Sequence, residues 1–226
     1  MAAGTGARLG VSRARFIVLE GVEGAGKTTQ IRLLSAWLDA LGVEYVTARE
    51  PGGTEIGEAI RGLLLAHREE GVPDETELLL MLAARAAFVR RVVRPALEAG
   101  RVVLADRFDL STFAYQGYGR GLDLEAVARM NAFATGGLRP DAVLVLDLPA
   151  SAGAARQADQ GSEADRIENE GTGFLERVRQ GYRELVAGRV DAHLIDALDT
   201  PEGVQRRLRE LLSGLFPETF AVREGS

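Results

Sequence analysis

The chain has 226 residues, 46% of them hydrophobic, and a formal net charge of -6, which gives enough apolar content to bury the core of one large domain or two small ones. It has no cysteine and only two histidines, His67 and His193, which excludes disulfides and thiolate metal sites and argues against a histidine catalyst. The acidic balance argues against general nucleic-acid binding. No apolar run reaches the roughly 18 residues of a membrane span, and the N-terminus lacks a secretory segment, so the expected setting is cytoplasmic, with neither nucleic acid nor membrane as partner.

In chain order, residues 1–14 read as a disordered tail. A short apolar run at Phe16-Ile17-Val18-Leu19 predicts a strand, followed by a Gly-rich turn and a helix over 27–41. Tyr45-Val46 predicts the second strand, and helical patterns follow at 55–66 and 75–99. Val102-Val103-Leu104 predicts the third strand, a helix spans 123–135, and Ala142 to Leu148 predicts the fourth strand. A helix at 171–187, a strand at His193-Leu194-Ile195 and a helix at 201–214 complete the series. Two polar, Gly-rich segments, 116–121 and 157–173, are expected as mobile loops. Strands alternating with helices imply an α/β fold: a three-layer sandwich around a mostly parallel five-stranded sheet. One domain over 15–216 is expected.

Residues 21–28, GVEGAGKT, fit GxxxxGK[ST] between a strand and a helix, the context in which that pattern forms a P-loop. The backbone of Gly21, Gly24, Ala25 and Gly26 turns its N–H groups inward, and the helix N-terminus at Lys27, Thr28 and Thr29 adds positive potential. Lys27 reaches the β- and γ-phosphates with a solvent-facing ammonium, and Thr28 is placed to ligate Mg²⁺. Lys27 is the only lysine in the chain, kept where a compact ammonium on a flexible stem is useful. Glu23, in the same loop, would be repelled by phosphates, so its carboxylate is expected to face a second ligand.

That ligand belongs at the carboxyl ends of the strands. Arg49-Glu50-Pro51-Gly52-Gly53 follows the second strand, Asp106-Arg107 ends the third, and Ser111 to Gly121, STFAYQGYGRG, comes next. Each could be structural taken singly; together at successive strand ends they favour a site.

From about Phe16 to Leu212 the chain resembles the thymidylate kinases, and most closely their bacterial members. FIVLEGVEGAGKTTQ, TAREPGGT, ADRFDLSTFAYQG and DRIE occur in that family's order and spacing. The resemblance implies transfer of the γ-phosphoryl group of ATP to dTMP with Mg²⁺, an acceptor-binding region around 50–90, a lid around 150–170, and a homodimer. By the same resemblance Glu23 faces the deoxyribose 3′-hydroxyl, and Arg49, beside Pro51, forms with Arg107 a clamp on the dTMP phosphate. Asp106 lies near Mg²⁺, Arg85 and Gln116 read the thymine edge, and Tyr115 disfavours a ribose 2′-hydroxyl. Arg156 stacks on adenine, and Asp165-Arg166-Ile167-Glu168 closes the lid.

Two departures stand out. Met81 occupies a position usually held by an aromatic residue over thymine, which implies looser base selectivity. Relatives carry a catalytic arginine either directly after the P-loop acid or in the lid. This chain has Gly24 at the first place and glutamines at 157 and 160 in the second, leaving Arg166 to reach the phosphates. Two alternatives stay open: a kinase for another nucleoside monophosphate such as dUMP, and a non-catalytic nucleotide-binding protein.

Overall fold

The structure, a computed structural model, describes residues 14–66, 71–159, 166–167 and 170–220. The expected tail up to residue 13, His67, Gln160, Asp165 and Glu168 lie outside the described residues.

Five strands, β1 (Phe16–Glu20), β2 (Tyr45–Arg49), β3 (Val102–Asp106), β4 (Ala142–Asp147) and β5 (Ala192–Asp196), form one sheet in the order β2-β3-β1-β4-β5. Every pairing is parallel. All five residues of β1 are buried, the signature of a parallel strand covered on both faces. Register sets Leu19 of β1 and Arg49 of β2 opposite Asp106 of β3, so the functional segments leave the sheet together at the carboxyl ends of the strands. The chain crosses from β1 toward β3 on one side and β4 on the other, which opens a crevice at the β1 carboxyl end where such sheets bind ligands.

The helices are α1 (Lys27–Leu41), α2 (Glu55–Leu65), α3 (Asp74–Phe88), α4 (Arg94–Glu98), α5 (Asp109–Thr112), α6 (Leu124–Thr135), α7 (Ala150–Asp159), α8 (Thr172–Ala187), α9 (Pro201–Leu215) and α10 (Pro217–Phe220). The uninterrupted helix expected over 75–99 is instead α3 and α4 joined by a π-helical turn, Val89–Val93. Pro95 has no N–H and its ring would strike the carbonyl four residues back, so the chain widens by one residue there. Ile60 and Leu64 of α2 pack on Ala84 of α3, while Leu78 and Leu82 of α3 meet Val127 of α6.

The segment 116–121, expected as a mobile loop, is largely ordered. Phe113–Gly119 is a second π-helical stretch with Tyr115, Gln116, Gly117 and Gly119 buried. Its glycines serve close packing: a Cβ would lie 2.4 Å from Leu124 Cδ2 at Gly117 and 2.7 Å from Phe174 Cε2 at Gly119. Of the other expected loop, α7 continues through Asp159 and α8 starts at Thr172. No helix among the described residues is long and apolar enough to cross a membrane.

Candidate active site

The P-loop joins the end of β1 to α1. Gly21, Gly24 and Gly26 take positive φ values of 135°, 72° and 96°, which residues with a Cβ adopt only under strain. Lys27 folds back over the loop, donating from Nζ to the carbonyls of Gly21 and Val22 at 3.0 Å each. It is buried, at 8% exposure, where a solvent-facing ammonium was expected. Burial and the nearby Arg107 lower its pKa against the pull of Asp106, Glu23 and Glu20. At the mouth of the loop Thr28 Oγ1 lies 3.4 Å from Asp106 Oδ2.

Glu23 turns away from the loop's interior. One carboxylate oxygen accepts from Arg107 Nη2 and the other from the Tyr115 hydroxyl, both at 2.5 Å. Burial alone would raise its pKa, but the charges of Arg107 and Lys27 and the Tyr115 hydroxyl outweigh that and hold it low. Glu23 is therefore an ionised acceptor. Burial pushes the Tyr115 hydroxyl well above its ordinary pKa, which keeps it a donor.

Arg107 takes φ 73°, an uncommon backbone state for a non-glycine residue that persists only where the surroundings enforce it. Its N–H donates to Leu19 O at 2.9 Å, and Nη1 donates to Gly21 O, Ser111 Oγ and the Tyr182 hydroxyl at 3.0–3.2 Å. Behind it lies Glu20, fully buried, accepting from Phe108 N, Ser111 N, Ser111 Oγ and the Tyr182 hydroxyl. The sheet thus aims Arg107 through a framework of buried bonds.

A cavity of about 310 Å³ extends from this corner. Gly24, Lys27, Thr28, Asp106 and Arg107 line its phosphate-loop side, while Arg49, Pro51, Met81, Arg85, Tyr115 and Gln116 line the rest, with Glu23 between. Of the expected residues, Gly21, Ala25, Gly26, Thr29, Arg156 and Arg166 do not line it. Arg49 is half exposed and paired with Glu58 Oε2 at 3.0 Å. Arg85 is buried and spends its guanidinium on Glu50, Thr112, Asn131 and the Phe108 carbonyl. Burial, against the pull of Arg85, pushes the Glu50 carboxyl up to about 7.

Arg156 Nη2 donates to Ala197 O at 2.9 Å and Nη1 to Gly24 O at 3.4 Å, placing it beside the phosphate loop. Arg166 does not line the cavity: Nε donates to Leu64 O at 2.9 Å, and Nη2 pairs with Glu77. Reaching a transferring phosphoryl group would mean breaking that buried pair. The glycine at 24 also has a cause. A Cβ there would lie 2.3 Å from the Gly153 carbonyl oxygen, and one on Gly153 would lie 2.4 Å from the Glu23 carbonyl oxygen. The loop and α7 approach so closely that no arginine fits directly after the acid.

Sequence reasoning gave no place on the cavity wall to Glu50, Arg61, Leu65, Ser111 and Thr112, and named Gln157 and Ile167 only as parts of the lid. Arg61 and Leu65 were readable only as one face of α2, and Glu50 and Ser111 sat unassigned inside motifs that had been singled out. Among the described residues no group of three or more acidic, histidine or cysteine side chains is arranged to hold a metal ion. Thr28 with Asp106 still suits Mg²⁺, which is bound by one or two protein oxygens and completed by phosphates and water.

Comparison with known proteins gives concordant matches. A family model described as thymidylate kinase matches residues 19–208. A thymidylate kinase of Pseudomonas entomophila is 50% identical over 202 residues, covering 89% of this chain and 96% of the relative. One of Desulfovibrio desulfuricans is 48% identical over 217 residues, covering 93% and 98%. The crystal structure of thymidylate kinase from Ehrlichia chaffeensis superposes with a TM-score of 0.72 at 30% identity, covering 88% of this chain and 98% of that one.

Proposed function

Because the chain belongs to the thymidylate kinase family, whose reaction is transfer of the γ-phosphoryl group of ATP to dTMP, we propose how its residues divide that work. The observation that carries the proposal is a single cavity with the phosphate loop, Asp106 and Arg107 on one side, Arg49, Tyr115 and Gln116 on the other, and Glu23 between them. A protein that only binds ATP needs no such second side.

ATP lies along the P-loop, its phosphates on the loop N–H groups and Lys27, its adenine toward Arg156. The dTMP phosphate lies against Arg107 and Arg49, a task suited to planar, bidentate guanidinium groups. The ionised Glu23 accepts from the sugar 3′-hydroxyl. Tyr115, between Glu23 and Arg107, closes the space a 2′-hydroxyl would need. The base lies toward Gln116 and Arg85, with Met81 at its face.

In the transfer an oxygen of the dTMP phosphate forms a bond to the γ-phosphorus as the β,γ-bridging bond breaks, giving dTDP and ADP. The acceptor is already anionic, so neither a covalent intermediate nor a general base is required. Catalysis is positioning plus charge neutralisation. Lys27 and Arg107 supply the fixed positive charge on the cavity wall, and Thr28 and Asp106 would hold Mg²⁺, which when bound neutralises charge on the phosphates. The nucleotide substrates support a cytoplasmic setting. Exposed Ile56 and Leu63 of α2 and Leu79 of α3 support a homodimer that covers these helices.

The test is transfer of label from γ-labelled ATP across a panel of monophosphates. Labelled dTDP as the preferred product is expected. Efficient labelling of another monophosphate with none of dTMP would overturn the assignment of the acceptor.

A further inference from the structure

Glu77, near the start of α3, is fully buried and does not line the cavity. An ionised carboxylate out of water is costly unless its oxygens are met by donors. Here they are met by three residues from two segments. Oε1 accepts from Gln116 Nε2 at 2.9 Å and Arg120 Nε at 3.3 Å, and Oε2 accepts from Arg120 Nη2 at 3.1 Å and from Arg166. Burial alone would raise the Glu77 pKa, but the bonds from Arg120, Arg166 and Gln116 outweigh it and hold the group low.

Charge balance points the same way. Glu170 lies 2.6 Å from Arg120 and 4.0 Å from Arg166, and the partly exposed Asp74 lies 3.4 Å from Arg120. Glu77 is the fully buried acid of this group, and without it two closely spaced guanidinium groups lose the carboxylate they share.

Two of these contacts reach the cavity. Gln116 lines it, as does Ile167, the neighbour of Arg166. The two ends of a glutamine amide are nearly isosteric, so its orientation is set by partners. Glu77 only accepts, so it holds the amide nitrogen and leaves the carbonyl oxygen for another donor. We infer that Glu77 is a positioning residue for acceptor-base recognition: it fixes the amide of Gln116 and anchors the Arg166-Ile167 turn against α2 and α3. The inference rests on the cavity being the dTMP site. It assigns Arg166 to holding the acceptor side rather than to contacting phosphate.

The test is Glu77→Gln, with kinetics for both substrates and with 2-deoxyribose 5-phosphate as a competing acceptor that lacks the base. Expected is a rise in KM for dTMP of roughly ten-fold, the worth of one or two misplaced hydrogen bonds. KM for ATP and the inhibition constant of the base-less acceptor should stay within about two-fold. An unchanged KM for dTMP overturns the inference. Equal weakening of all three constants also overturns it, because that is general loosening rather than base positioning. If Glu77→Gln does not fold, Arg166→Gln decides: a smaller rise in KM for dTMP supports the inference, and a fall in kcat of orders of magnitude with KM unchanged refutes it, since an arginine on the phosphoryl group behaves so. Failure of the wild type to phosphorylate dTMP would instead strike the functional reading, and this inference with it.

Discussion

Gly153→Ala adds one methyl group where α7 meets the phosphate loop. Its Cβ would sit 2.4 Å from the Glu23 carbonyl oxygen and 3.5 Å from the carbonyl carbon. A relaxed carbon–oxygen contact is about 3.3–3.6 Å, so one backbone must retreat by about 1 Å. Both atoms in collision are main-chain atoms, and no side-chain rotation relieves them. For stability, alanine in a helix gains about 0.5–1 kcal/mol over glycine, and overpacking costs about 1–3 kcal/mol. The net loss of up to about 2.5 kcal/mol lowers Tm by up to about 10 °C for a chain of this size. For catalysis the same displacement moves Glu23, and with it Arg107 and Tyr115, by a distance that can cost about 100-fold in rate. Expected, then, is a folded enzyme with a modest Tm loss and kcat reduced about 100-fold in a coupled ADP-release assay. A folded variant with wild-type kcat would show that α7 yields freely and does not brace the loop.

Lys27→Ala should lower kcat/KM by at least about 10²–10³, the usual loss for one preorganised charge-stabilising donor. Tm should move little, because a buried ammonium lowered in pKa by burial and Arg107 contributes little to the fold; near-normal turnover would refute its role. Met81→Phe should tighten dTMP binding by up to about ten-fold through base stacking, worth about 0.5–1.5 kcal/mol, and an equal or weaker Kd by calorimetry would show that Met81 is not at the base. Glu50 makes stability pH-dependent: its folded pKa of about 7 lies above the unfolded value, so the native state holds a proton that the unfolded chain releases between roughly pH 4.5 and 7. Stability from this group therefore falls as pH rises through that window, and Glu50→Gln should flatten the fall. Denaturant midpoints for the two proteins running parallel from pH 4.5 to 7.5 would refute the assignment.

The strand order was not written in the sequence, but the strand ends were, because apolar runs bounded by Gly, Asp and Arg mark where a parallel sheet delivers its functional groups. That is why Glu23, Lys27, Arg49, Asp106, Arg107 and Tyr115 line one cavity as local motifs suggested. What was not legible depended on partners distant in sequence. Gly117 and Gly119 looked like loop glycines, yet they exist to admit Leu124 and Phe174. Gly24 reads as a missing arginine in the sequence, but in the fold Gly153 stands against it. Arg166 looked free to serve the phosphates because nothing near it in sequence identifies Glu77, on another helix, as its buried partner. Periodicity locates a face; it does not say which charge waits on the opposite one.

Glu23 gives the most direct test, since a carboxylate in a phosphate loop makes sense only if it serves the acceptor. Glu23→Gln keeps the shape of the side chain and removes the charge that Arg107 and Tyr115 hold at 2.5 Å. Calorimetric titration of the variant with each nucleotide should show dTMP affinity weakened by about ten-fold or more, the scale of a hydrogen bond to a charged group, with ATP affinity changed little. Weakened ATP binding with dTMP affinity intact would contradict the division of the cavity into a donor side and an acceptor side.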